Sequence, residues 1–240
     1  MPVRVIDNIT KVFPDMIEVK IFNKPIFYYA NDNPSVKRSR SSVGDDYEPT
    51  ITSLSRTKSL VRDIVRSNSF ELFCTFTFDP KKINRFSYAS CFSAMSCWLH
   101  HQKDRATAHN KRFEYIVVPE KHKDGAWHFH ALIKGYCGSK RDSHHFTSSG
   151  RRVYNLTSYR SGFTTAVEID DSNAVANYIT KYISKDFIKE FNQRRFTCSR
   201  GLLRPIKEVN SPRFRKSLPL SRVQIYDNGD VSLYHILPDF

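Results

Sequence analysis

The 240-residue chain has no uninterrupted apolar run near the ~18 residues that a membrane span requires, so a transmembrane protein is not expected. It also lacks the continuous apolar core of a secretory signal, because Asp7, Asp15 and Glu18 break up the first thirty residues; export is not expected either. Cysteine is sparse. Cys74, Cys91, Cys97, Cys137 and Cys198 are odd in number and show no C-x-x-C spacing, which argues against a disulfide framework and a structural zinc site and fits reduced thiols in a cytosol. There is no G-x-x-x-x-G-K-[ST] phosphate loop, hence no support for an appended nucleotide-driven helicase, and no repeat at domain scale. Acidic residues are outnumbered, 24 Asp plus Glu against 38 Lys plus Arg, for a net charge of +14. That surplus asks for a polyanionic partner, most economically nucleic acid, with an acidic membrane surface as the other source of negative charge.

What is present fits a soluble globular chain of one large domain or two small ones. Residues 19–22 and 26–29 are strand-like, and the Asn-, Ser-, Arg- and Pro-rich stretch 31–42 reads as a flexible boundary. The apolar residues of 53–67 recur at helical spacing between Arg56, Lys58, Arg62 and Arg66, a basic amphipathic helix suited to a DNA backbone. Phe70–Phe78 alternates as a strand ended by Asp79-Pro80, 85–101 suits a helix on a sheet, and 113–118 with 127–133 predicts an antiparallel hairpin. Residues 136–162 read as an excursion with a short strand at 152–156, followed by a strand at 163–169 and a helix from an Asp170-Asp171-Ser172 cap to about Phe191. The chain is then basic and irregular until an Asn-Gly hairpin formed by 223–226 and 231–236. The domain division expected is 1–52 as an N-terminal extension with a flexible basic linker, 53–192 as the main domain, and 193–240 as a basic segment whose hairpin packs on that same domain.

His128 and His130 are two apart on a strand, so both rings project from one face, while Trp127, Phe129 and Ala131 point to the other. Such a pair can be the polar face of a half-buried strand. It can also hold a metal: imidazole suits transition ions such as Mn²⁺, Mg²⁺ prefers oxygen, and the third ligand is then a carboxylate. Glu120 is the candidate, provided that it pairs opposite His128, since a one-residue slip would send its side chain to the other face. His122, Asp124 and Glu114 are the alternatives.

The segment 177–185 carries Tyr178, Lys181, Tyr182 and Lys185 on about 100° of a helix, beside the apolar arc of Val175, Ile179, Ile183 and Phe187. Tyrosine titrates near pH ~10, so as a nucleophile it needs cationic neighbours or a base, and the lysines can supply positive charge.

A strand at 73–78, then His128-Phe129-His130, then Tyr178-x-x-Lys181-Tyr182-x-x-Lys185 arrive in the order of the three motifs of the HUH rolling-circle replication initiators, and over about 70–190 the chain resembles that superfamily. The paired tyrosines resemble its two-tyrosine class, found in isometric single-stranded DNA phages and in some plasmids and prokaryotic viruses. The resemblance implies an α+β fold with a central antiparallel sheet flanked by helices, RRM- or palm-like, and a viral or plasmid endonuclease acting in a bacterial or archaeal host cytoplasm. It implies Mg²⁺ or Mn²⁺ on His128, His130 and Glu120, attack on a phosphate of single-stranded origin DNA by Tyr178 or Tyr182, and phosphate positioning by Lys181 and Lys185. The product is a 5′-phosphotyrosine and a free 3′ hydroxyl that primes synthesis, with a later rejoining step, and host helicase and polymerase as partners. The rivals are a conjugative relaxase or single-tyrosine transposase of the same superfamily, a water-using phosphodiesterase, and a non-catalytic nucleic-acid-binding protein.

Overall fold

A computed structural model describes residues 4–28, 51–183, 194–211 and 222–237. In chain order the elements are β1 (Arg4–Val12), β2 (Ile17–Tyr28), α1 (Ile51–Arg66), β3 (Leu72–Phe78), α2 (Tyr88–Ala108), β4 (Glu114–Lys121) and β5 (Trp127–Lys134). They continue as β6 (Lys140–Phe146), β7 (Arg152–Leu156), β8 (Gly162–Glu168), α3 (Ser172–Ile179) with a 3-10 turn Thr180–Tyr182, β9 (Thr197–Cys198), β10 (Ile206–Val209), β11 (Arg222–Asp227) and β12 (Val231–Ile236). The fold class is α+β, and the chain divides into two compact units, 46–203 and 1–45 with 204–240.

The larger unit is built on a seven-stranded antiparallel sheet in the order β6-β7-β8-β3-β5-β4-β9. Alternation decides its two faces. Leu72, Cys74, Phe76 and Phe78 of β3 and Trp127, Phe129, Ala131 and Ile133 of β5 point to one side, where they pack with Cys91, Met95, Trp98 and Leu99 of α2. Phe76 is wholly buried, its ring 4.9 Å from Trp98 and 5.0 Å from Tyr159. Burying one such side chain is worth about 1.5–3 kcal/mol. On the other side, Ile116, Val118 and Leu132 meet Leu54, Val61, Ile64 and Val65 of α1 and Ala176 and Ile179 of α3. The sheet is thus flanked by helices on both faces. Pro119 lies on β4 past the short pairing with β9, which covers only Ile116 and Val117, so its missing N–H leaves no ladder bond unmade there.

The smaller unit is a five-stranded antiparallel sheet in the order β10-β1-β2-β12-β11, with Val19 and Ile236 buried against Ile17 and Ile21. Its turn between β11 and β12 places Gly229 at φ +80°, a backbone region that suits glycine. This arrangement corrects the expected division. The N-terminal stretch is not an extension but two paired strands, and the C-terminal hairpin pairs with β2 instead of joining the main domain. The expected linker at 31–42 lies outside the described residues. The expected excursion at 136–162 contains an additional strand, β6, and the basic stretch after 193 contributes β9 and β10. Among the described residues no helix is long and apolar enough to cross a membrane.

Candidate active site

The site is assembled where α3 and its 3-10 turn meet the β3-β5-β4 face. In the hairpin, Glu120 pairs directly with His128 and Val118 with His130, the register that puts the carboxylate on the histidine face. Glu120 Oε2 lies 2.7 Å from His130 Nε2 and 3.3 Å from His122 Nε2. An ionised carboxylate can only accept, so His130 Nε2 carries the proton of the shorter bond. That hydrogen bond, aided by the neighbouring imidazoles, holds the Glu120 carboxyl below its ordinary value against the opposing effect of burial.

Two threonines of β3 stand behind the histidines. Thr75 pairs with His130 and Thr77 with His128, and their hydroxyls lie 3.2 and 3.3 Å from the respective Nδ1 atoms. A hydroxyl in that position fixes the ring orientation and leaves Nε2 as the outward nitrogen. The turn from His122 to Ala126, closed by a bond from His122 N to Ala126 O, lays the His122 ring flat on His128 at 3.7 Å and 6°. Burial first, then the two neighbouring imidazoles, pull the His128 pKa down to about 4. Its ring is neutral at neutral pH and so keeps one nitrogen lone pair.

That shift has a measurable sign. The unfolded chain's imidazole takes up a proton near pH ~6.5, the folded one only near 4, so in between the unfolded state binds more protons. The contribution of His128 to stability is therefore complete above about 6.5 and is lost as the pH falls toward 4. In an NMR titration of the histidine rings, His128 should stay neutral at a pH where a free imidazole is charged; an ordinary midpoint for that ring would contradict the packing described.

Of the alternatives to Glu120, Asp124 is used in the turn, accepting from Ala126 N at 3.0 Å and facing Arg85 at 3.6 Å. Glu114 sits at the other end of β4, paired with Lys134 and bonded by Arg112 at 3.1 Å. His122 does join the cluster. Among the described residues no three His, Cys, Asp or Glu side chains are already disposed around a cation position, and the Glu120 carboxylate is bound to His130 and His122. The donor set itself, two imidazoles and one carboxylate with hydroxyls behind the rings, has the chemistry of a divalent-ion site.

Asp171 caps α3 by accepting from Asn173 N and Ala174 N, and Ala176 and Ile179 anchor it to the sheet. The helix expected to run to about Phe191 instead ends at Ile179. A 3-10 turn follows, and Ile183 leaves helical geometry at ψ 85°. The stretch beyond Ile183, Lys185 included, lies outside the described residues. The two tyrosines therefore straddle the end of the α-helix, and Tyr182 donates its hydroxyl hydrogen to the Tyr178 oxygen at 2.8 Å. The Tyr182 ring stacks on His130 at 3.5 Å and 16°, and Tyr178 meets Phe73 edge-on at 5.3 Å. Burial, and then the bond to Tyr178, push the Tyr182 hydroxyl well above the ordinary tyrosine value. Tyr178 is 44% exposed, with Lys181 Nζ 5.1 Å from its ring centre.

The structure thus brings His128, His130, Glu120, Tyr178, Lys181 and Tyr182 into one place, together with Thr75, Thr77 and the ring of His122. Residues 71–187 match the family model of Replication-associated protein ORF2/G2P. The matched stretch holds every residue of this cluster and supports a replication-associated protein. No curated protein and no solved structure gives a significant match. The threonines behind the histidines were not among the residues picked out from sequence, although the alternation of β3 already set them on the face opposite the core.

Proposed function

We propose that this replication-associated protein initiates rolling-circle replication by nicking single-stranded origin DNA through a tyrosine, as a two-tyrosine member of the HUH superfamily. The observation that carries this reading is the exposed Tyr178 hydroxyl, hydrogen-bonded by Tyr182 and grouped with His130 and Glu120. In the reaction the Tyr178 oxygen forms a bond to phosphorus and loses its proton to solvent, the bond from phosphorus to the 3′ oxygen breaks, and that oxygen takes a proton from solvent and leaves as a hydroxyl. Donation from Tyr182 favours negative charge on the attacking oxygen, and the Lys181 ammonium, over the Tyr178 ring, supplies positive charge for the incoming phosphate. His128, His130 and Glu120 would hold Mg²⁺ or Mn²⁺, which when bound supplies Lewis-acid polarisation of the phosphate. Neutral His128 already offers a lone pair, and Thr75 stands ready to accept a hydrogen from His130 Nδ1 when Nε2 gives up its proton. Tyr182 serves the second transfer that rejoins the strand, and Lys185 assists in phosphate positioning. Partners of this reading are origin DNA and a host helicase and polymerase in a bacterial or archaeal cytoplasm.

The test is incubation of the protein with single-stranded fragments of its own replicon in Mg²⁺ or Mn²⁺, followed by denaturing electrophoresis. A protein–DNA adduct with a free 3′ hydroxyl on the other fragment is expected. Cleavage without an adduct would show a water-using phosphodiesterase, and binding without cleavage would show the non-catalytic alternative.

A further inference from the structure

The histidine face continues past β3 onto β8, β7 and β6. Phe163 and His128 are both partners of Thr77, one on each side of it, so they project from the same face two strand spacings, about 10 Å, apart. Phe163 is 55% exposed, which is unusual for a phenylalanine in the interior of a sheet. One row along, Thr75 pairs with Thr165, and Asn155 and Arg141, opposite each other on β7 and β6, lie on the same face. Between β7 and β8 the direct backbone pairing narrows to Tyr154 with Ala166, and the Asn155 amide bridges to Thr164 O instead. The strands open there into a cavity of about 210 Å³ that reaches the core residues Leu156 and Tyr159 and has Arg141, Asn155, Gly162 and Phe163 in its wall. A cavity of roughly 150 Å³ already accepts a benzene-sized ring.

We propose that this cavity is a subsite for one nucleobase of the single-stranded DNA, a nucleotide or two along from the phosphate that lies over the histidines. The inference rests on the nickase reading for the identity of the strand, but not for the subsite itself. Phe163 offers a ring face for stacking, which any base accepts, while the Arg141 guanidinium donates to acceptors on the base edge and the Asn155 amide oxygen accepts from a base donor. Gly162 is part of the construction: a Cβ there would lie 2.0 Å from Thr77 O, so β8 approaches β3 closely enough to hold Phe163 against the site only with glycine at this position. The +14 charge supplies backbone attraction that does not depend on sequence, and this subsite supplies a contact that does.

The experiment places 2-aminopurine at successive positions of single-stranded oligodeoxynucleotides taken from the replicon, bound in excess chelator so that only association is read. One position is expected to be quenched by wild-type protein and by Phe163→Tyr, and not by Phe163→Ala. Affinity should fall about 5- to 150-fold in Phe163→Ala, the range spanned by one base–aromatic stack. Arg141→Gln should keep the quenching and flatten the preference among bases at that position. Phe163 is largely in solvent, so its replacement leaves the core intact, and Phe163→Tyr guards against a general loss of structure. A quenching pattern and affinity identical in wild type and Phe163→Ala would overturn the subsite while leaving nicking untouched. A Phe163-dependent signal in a protein that never forms an adduct would overturn the nickase and leave the subsite standing.

Discussion

The double variant Tyr178→Phe, Tyr182→Phe is expected to form no covalent adduct with DNA, while still binding it. Both changes keep the rings that pack on Phe73 and His130 and remove only the two hydroxyls, so a loss of reaction would report on oxygen chemistry and not on folding. The single variants should differ from each other. Tyr178→Phe leaves a hydroxyl that burial holds in its protonated form, so a first cleavage on Tyr182 should be slow but present. Tyr182→Phe leaves the exposed nucleophile and takes away its hydrogen-bond donor. A bond to a developing negative charge is worth about 1.5–3 kcal/mol, or roughly 10- to 150-fold in rate. Coupled cleavage and rejoining should fail in both singles. Single-turnover rates and peptide mapping of the adduct measure this, and an undiminished adduct in the double variant would refute tyrosine attack. Lys181→Ala removes charge but no nucleophile and should slow cleavage without erasing the adduct.

The second large effect is expected at the histidines. His128→Ala and His130→Ala should each abolish nicking, a fall of at least roughly 100-fold, since even the groups that merely orient metal ligands are worth 10- to 100-fold. Thr75→Val should give that smaller, graded loss, because it preserves the packing and removes the hydroxyl from His130 Nδ1. Raising the Mn²⁺ concentration should partly restore Thr75→Val and leave the alanine variants inactive. Cleavage by wild-type protein that persists in excess chelator would remove the metal from the mechanism. His130→Ala also strips the ring on which Tyr182 stacks, so its melting transition belongs beside its activity.

Much of this was legible before any coordinates. The alternation in β3 and β5 identified the core face and the histidine face, and Asp124-Gly125 pointed to the hairpin, but the register that carries Glu120 to His128 was not legible, since a slip by one residue leaves the same turn signal. The end of α3 was not legible, because Ile179, Ile183 and Phe187 continue a helical period and only the 3-10 turn at Thr180 interrupts it. β6 was missed because Lys-Arg-Asp-Ser-His-His-Phe has no alternation, being mostly exposed and held by pairing with β7 alone. The union of β2 with β12 joins residues some two hundred positions apart, and nothing local in either strand names the other. His122 stood only as an alternative, since its place on His128 depends on how the turn folds back.

β5 spells the core and the site with alternate letters of one word. Trp127, Phe129, Ala131 and Ile133 are almost entirely buried on one side, with His128 and His130 on the other. A slip by one residue would push two imidazoles among Met95 and Trp98 and move an indole and a phenyl ring off that core to the other face, where His130 and Leu132 already fill the space beneath Tyr182 and α1. Alignment of the histidines is thus proofread by packing: the register that misplaces the chemistry is also the register that breaks up the core.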